Sequence, residues 1–382
     1  MRQCTEIRRR KREKVQALLE QETTGELSSR YSAAVRFSAG IRSSQFYVTN
    51  ACNIRCEGCW FFKNGMEYAM RDEKYSAIFD ERVAAIVRKD RLNLVWILGG
   101  EPALRLDRVR SIAHRVRHPI ISTNGEYAIP LDGFEHASIF VTVFGGVGID
   151  DQLRAIRPNG KRFDGLFETA LRNYRSDPRV TFHLILSIHH PGDIEPTVRR
   201  IADNGNRVTF GFYSGADTLG ADTDVQESLL DEALRVAAAY PGVVNAHPYF
   251  LRTLISGKSH FGTFGHETCA SLSRDHAGNS QRLKEGLPTL PFFNAWASDA
   301  KTINRCCTSG NCAECRDTEA IFSWLMVSQE YFLDSPDQLR TWVEVVESFY
   351  NQFHFSPWLA INTKHRQPES GNEPRPVAVA CA

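Results

Sequence analysis

Three cysteines, Cys52, Cys56 and Cys59, share the stretch Ala51-Cys-Asn-Ile-Arg-Cys-Glu-Gly-Cys-Trp60, with the spacing C-x3-C-x2-C. Thiolates are soft ligands, and gathered in one short loop they select iron–sulfur clusters or zinc over magnesium or calcium. A closed structural zinc site takes four ligands, and an ordinary [4Fe–4S] cluster takes four cysteines. Three in one loop, with no fourth nearby, leave one metal position open to an outside ligand. A second group lies in the C-terminal third: Cys269, Cys306, Cys307, Cys312 and Cys315. Cys312-Ala-Glu-Cys315 is a C-x2-C knuckle, and the group holds more thiols than four ligand positions require. Cys269, Cys306, Cys312 and Cys315 are the expected ligands, with Cys307 the alternative to Cys306. Spacing alone also allows a four-thiolate zinc knuckle there.

The elements that must hold these residues can be read from periodicity. Ser44–Asn50 alternates apolar and polar residues, and it predicts a strand over 45–50 that ends at the first cysteine loop. Further strands are predicted over 93–98, 119–123, 136–144, 180–188 and 207–213. A helix over 74–89 would turn Ile78, Val83, Ile86 and Val87 to one apolar side. Strands alternating with helices predict a parallel sheet, and in barrels of this kind chemistry gathers at the C-terminal strand ends. The second strand ends in Gly99-Gly100-Glu101-Pro102, the third in Ser122-Thr123-Asn124, and the fifth at Ser187, before His189 and His190. Each polar residue at a strand end could equally cap a turn. After the fourth strand comes Gly148-Ile-Asp-Asp-Gln-Leu-Arg154-Ala-Ile-Arg157.

A C-x3-C-x2-C after one strand and Gly-Gly-Glu-Pro after the next resemble the radical S-adenosylmethionine (radical SAM) superfamily. The resemblance implies an α/β fold, a partial (β/α)6 TIM-like barrel. It implies that Cys52, Cys56 and Cys59 hold three irons of a [4Fe–4S] cluster while SAM chelates the fourth. Reductive cleavage of SAM then yields a 5′-deoxyadenosyl radical that abstracts a hydrogen atom. Gly99, Gly100, Glu101 and Pro102 look like the family's motif for the methionine amino group, with Glu101 holding the ammonium. Ser122, Asn124 and Ser187 become candidate SAM contacts, and Arg154 either neutralises the SAM carboxylate or braces its loop. Many members carry an aromatic residue just before the third cysteine to contact adenine. Here that position is Gly58, and Trp60 is the expected substitute. The second cysteine group resembles the "twitch" auxiliary-cluster domain of some members. It is shorter than the SPASM pattern, because no further cysteine follows until Cys381.

The whole chain sets bounds on this picture. Its 382 residues predict one large domain with an appendage. The expected division is a basic helical extension over 1–43, the barrel over 44–250, a small C-terminal cysteine-rich auxiliary-cluster domain over 251–360, and a disordered tail over 361–382. A composition of 42% hydrophobic and 24% charged residues is ordinary for a globular protein. A formal net charge of +1 gives no reason to expect nucleic acid or a membrane surface as partner. The basic run Arg8–Arg12 reads as the face of a solvated helix. Ten cysteines without a secretory signal suggest metal sites and a reducing cytoplasm. A single twitch-like cluster and no leader-binding domain favour a small-molecule substrate such as a sugar, nucleoside or natural-product intermediate. Ribosomal-peptide modification is the alternative enzyme, and a non-enzymatic metal-binding protein the alternative class. A flavodoxin or ferredoxin is the expected electron donor.

Overall fold

Segments rich in β-branched and aromatic residues become the strands β1 Ser43–Tyr47, β2 Leu94–Leu98, β3 His118–Thr123, β4 Ser138–Val143, β5 Val180–Leu186 and β6 Arg207–Phe212. Two short strands, β7 Ala295–Trp296 and β8 Ile303–Asn304, complete a sheet of order β6-β5-β4-β3-β2-β1-β7-β8. Strands β1 to β7 run parallel, and β8 pairs antiparallel with β7. This seven-stranded parallel sheet is the expected partial TIM-like barrel. The computed structural model describes residues 2–63, 65–69, 71–146, 148–187, 192–212, 223–262, 294–304 and 315–359. Cys269, Cys306, Cys307, Cys312, Cys381, His189, His190 and the predicted tail lie outside the described residues.

Register sorts the side chains into two faces. Phe46, Val95, Ile97, Val141, Phe182, Leu184, Val208 and Phe210 point outward into the main core and are buried. The opposite, inner face carries Gln45, Trp96, Leu98, Ser122, Thr142, His183 and Ile185, all of them half-exposed. On that same face Ile120, Phe140, Thr181 and Thr209 are buried, so the partial exposure gathers toward the C-terminal strand ends.

The floor of that wall is closed by the C-terminal helix Pro336–Asn351 and the residues after it. Thr181 Oγ1 donates to the Gln352 carbonyl at 2.9 Å, and His354 N–H donates to Ser138 Oγ at 3.0 Å. Phe353 meets Trp96 edge-on at 5.5 Å. Ser335 caps this helix by accepting from Gln338 N–H, with Pro336 at its first position. The N-terminal region forms two helices, Arg2–Glu20 and Glu26–Gly40. They pack on Pro336–Asn351 through Tyr31–Trp342 and Phe37–Tyr350, and Arg30 pairs with Glu347 at 2.7 Å. Among the described residues, no helix is long and apolar enough to cross a membrane.

One buried side chain ties the cysteine-bearing end of the sheet together. Arg108, fully buried in the helix Leu106–Ala113, donates to the carbonyls of Val48 at 2.7 Å, Ser298 at 3.3 Å and Glu73. Its guanidinium lies over the Phe79 ring. Replacing Arg108 by methionine keeps the bulk but strands these carbonyls. A loss of about 3 kcal/mol is expected on the usual cost of unsatisfied buried acceptors. Denaturant unfolding of Arg108→Met checks it, and an unchanged midpoint would contradict the stapling role.

Candidate metal centre

Strand β1 stops at Tyr47, earlier than the expected end at residue 50, because the chain turns into hydrogen bonds with the loop after β2. Val48 N–H donates to Leu98 O, Gly100 N–H to Thr49 O and Glu101 N–H to Ala51 O, each at 2.8 Å. Asp72 fixes the same turn by accepting from Thr49 Oγ1 at 2.6 Å and Asn50 N–H at 2.8 Å. The two glycines permit this contact. A Cβ on Gly99 would lie 2.6 Å from Thr49 O, and one on Gly100 would run into the Ala51 carbonyl. Both motifs thus meet at the C-terminal edge of β1 and β2 as one backbone unit.

The cysteine loop leaves this unit and is clamped on its far side by the segment after β4. Arg55 N–H donates to Ile156 O and Glu57 N–H to Leu153 O, both at 2.7 Å. Cys52, Cys56 and Cys59 are half-buried, and none is in a disulfide. Burial pushes the Cys52 thiol up to about 12 and the Cys56 thiol up to about 11, and it raises Cys59 as well. Arg154 beside Cys56 pulls that thiol the other way.

Glu101 is buried and its pKa is raised by burial, against the pull of three donors. Oε1 accepts from Ala103 N–H at 2.9 Å and Thr123 Oγ1 at 2.8 Å, and Oε2 accepts from Asn124 N–H at 2.8 Å. A carboxylate oxygen has room for two such bonds, so Oε2 keeps one lone pair. Glu101 thereby caps the short helix Pro102–Arg105 and locks the end of β3. Arg154, 2% exposed, pairs with Asp150 and donates to the Asn124 carbonyl at 3.3 Å. Asp150 also accepts from Gly146 N–H at 2.8 Å. These contacts tie Arg154 to Asp150 and to the end of β3.

The remaining expected contacts are spread more widely. Asn124 joins the cysteine loop, with Nδ2 at 2.8 Å from Asn53 Oδ1 and 3.9 Å from Cys52 Sγ. Ser122 lies on the inner wall, and Ser187 follows β5 on the far side of the sheet. Trp60 opens the short helix Trp60–Lys63 and packs edge-on against Tyr47 and Phe61. Cys315 is half-buried just ahead of Arg316, whose guanidinium stands over Phe212. Thr318 Oγ1 lies 3.5 Å from the His183 ring. Asn53, Asp72, Glu126 and Arg157 were not anticipated as site residues. Only the i,i+4 spacing of Asp150 and Arg154 had a local signal.

The donor set fits an iron–sulfur cluster. The three thiols share one clamped loop, although among the described residues no group of three or more ligating side chains is gathered closely enough to hold a single metal ion. Two buried N–H groups in the same region, Arg55 Nη1 and Arg154 Nε, have no hydrogen-bond partner. Unsatisfied buried donors are costly, and a cluster with thiolate ligands is an anionic acceptor. Because burial holds the thiols protonated, capturing iron must expel protons. Iron loading of the metal-free protein is accordingly expected to increase from pH 7 to pH 9. Loading that falls over that range would contradict this assignment.

Residues 46–218 match the family model described as the Radical SAM superfamily. No curated protein matches the chain. Solved structures similar to it include native anSMEcpe with bound AdoMet (S-adenosylmethionine), at 13% identity over 73% of this chain and 80% of that one, with TM-score 0.48. Another is Streptococcus suis SuiB bound to precursor peptide SuiA, at 13% identity, 83% and 68% coverage and TM-score 0.42. The FeFe-hydrogenase maturase HydG from Carboxydothermus hydrogenoformans aligns at 12% identity over 95% and 96%, with TM-score 0.36.

Proposed function

We propose that this chain is a radical SAM enzyme that abstracts hydrogen from a small molecule. The observation that carries the reading is the union of three unpaired thiols and the Gly99–Glu101 loop at one strand-end edge. Cys52, Cys56 and Cys59 would hold three irons of a [4Fe–4S] cluster, with SAM on the fourth. When bound, that pair supplies reductive cleavage of SAM to a 5′-deoxyadenosyl radical. The protein's part is to hold and orient. Oε2 of Glu101 has a lone pair left for the SAM ammonium, and the inner wall from Gln45 to Ile185 receives the substrate.

One titratable group on that wall, His183, favours an uncharged ligand. Burial pushes His183 down to about 4, so its imidazole is neutral at pH 7. Hydroxyls from Ser122 and Thr142 on this face suit a sugar, nucleoside or natural-product intermediate.

Cys269, Cys306, Cys312 and Cys315 are proposed as ligands of an auxiliary [4Fe–4S] cluster. Cys315 precedes residues that pack on β5 and β6, the side of the sheet away from β1, which supports a position across the substrate space. A flavodoxin or ferredoxin would supply the electron. The test is anaerobic reconstitution with iron and sulfide, then SAM and dithionite, with 5′-deoxyadenosine read by mass spectrometry. About eight irons per chain are expected if both sites hold [4Fe–4S]. Deuterium carried from a labelled sugar or nucleoside into deoxyadenosine would establish the substrate class. Zinc in place of iron, with no deoxyadenosine, would reject the enzyme.

A further inference from the structure

A chain of side-chain hydrogen bonds runs from the surface of the cysteine loop to one sulfur. Arg157 grips Glu126 with both guanidinium nitrogens, at 2.6 and 2.8 Å. Its guanidinium is held over the Phe163 ring at 3.8 Å. Glu126 Oε2 accepts from Asn53 Nδ2. That contact turns Asn53 Oδ1 toward Asn124, whose Nδ2 donates to it at 2.8 Å. Asn124 Nδ2 also lies 3.9 Å from Cys52 Sγ, and Asn53 Oδ1 lies 3.8 Å from the same sulfur.

The orientation of the Asn124 amide is determined by these contacts. Its Oδ1 accepts from Glu126 N–H at 3.0 Å, and its backbone N–H donates to Glu101 Oε2 at 2.8 Å. Exchanging its O and N would set Oδ1 against Asn53 Oδ1 and Nδ2 against the Glu126 N–H. Both contacts would then be repulsive. Residue 124 is 8% exposed, so water does not offer an alternative partner.

We propose that Asn124 is a positioned hydrogen-bond donor to the Cys52 sulfur, and that Arg157, Glu126 and Asn53 fix it so that this bracket raises the reduction potential of the bound cluster. The inference rests on the cluster reading of Cys52, Cys56 and Cys59 given above. Hydrogen bonds to cluster sulfurs tune potential because a donor favours the electron-richer, reduced state. The bracket adds no net charge, since Glu126 and Arg157 neutralise each other. Without Arg157 it would place a lone carboxylate three hydrogen bonds from the sulfur.

The experiment is an EPR-monitored redox titration of the reconstituted full-length protein, followed on the signal that SAM perturbs. Iron and sulfide content are measured on the same samples. Asn124→Leu is expected to lower the ratio of reduced to oxidised cluster at fixed potential by about tenfold, or about 59 mV for a one-electron couple. Asn124→Asp, which replaces the donor by a charged acceptor, is expected to lower it further. Arg157→Met should shift it in the same direction, and Arg157→Lys should restore most of the loss. Loaded variants that titrate like the wild type would overturn the inference and leave the cluster reading standing. A wild-type protein that binds no iron–sulfur cluster would overturn that reading itself. If the Asn124 variants do not load, the Arg157→Met and Arg157→Lys pair decides. Failure of all four variants to load would make the bracket purely structural and reject its role in potential.

Discussion

Cys56→Ala is expected to abolish 5′-deoxyadenosine formation and to remove the iron held by the first cysteine group. Cys56 is the middle thiol of the three, and its loop is clamped on both sides, by Ile156 through Arg55 N–H and by Leu153 through Glu57 N–H. Those clamps hold the backbone of the loop, so among the described residues Cys52 and Cys59 keep their own places and do not stand in for Cys56. Losing one of three ligands from a site that already leaves one position open removes the basis for stable binding. The fold should survive, since alanine at this half-buried position leaves the backbone clamps of the loop and the Arg154–Asp150 pair in place. Circular dichroism unchanged from the wild type, with iron reduced by about half if the auxiliary site is loaded, is the expected pattern. Cys315→Ala is the counterpart, lowering iron while leaving SAM cleavage in place. Deoxyadenosine formed at the wild-type rate by Cys56→Ala would end the assignment of this loop as the SAM-cleaving centre.

The fold was legible where it repeats. Six strands and the loops that end them follow from period-two alternation and from turn residues, because each strand carries its own signal. Strands β7 and β8 escaped, since Ala295-Trp296 and Ile303-Asn304 are too short to show a period. What places β7 is pairing with Gln45 and Phe46, some 250 residues away in sequence. The site divides the same way. Cysteine spacing and the Gly-Gly-Glu run are local patterns and could be read directly. That Gly99 and Gly100 serve the packing of one loop on another was invisible, because it depends on where Thr49 and Ala51 arrive. Asn53, Glu126 and Arg157 meet only once the loops after β1, β3 and β4 are side by side. A buried polar chain of this kind leaves no periodicity behind.

That loop-on-loop contact yields the second large expected effect, at Gly100. Its backbone does not need the left-handed region, so conformational freedom is not the reason for glycine there. The reason is space: an added Cβ would overlap the Ala51 carbonyl, with Asn50 O at 2.8 Å on the other side. Both obstacles are backbone atoms, and the Ala51 carbonyl is held by the Glu101 N–H, so neither can rotate aside as a side chain would. Gly100→Ala must therefore push the two loops apart. It would break the Glu101 N–H to Ala51 O bond and displace Cys52, the next residue. Overpacking of this kind costs about 1–3 kcal/mol, and the lost backbone bond places the expected value near 3 kcal/mol. Gly160→Ala is the control, since Gly160 has φ +83 and nothing within 4 Å of an added Cβ. Its cost is about 1–2 kcal/mol from left-handed backbone alone, with iron loading intact. Denaturant unfolding and iron content together separate the cases. If Gly100→Ala proves no more harmful than Gly160→Ala and still loads iron, the two loops are not the rigid unit that presents Cys52 to its metal.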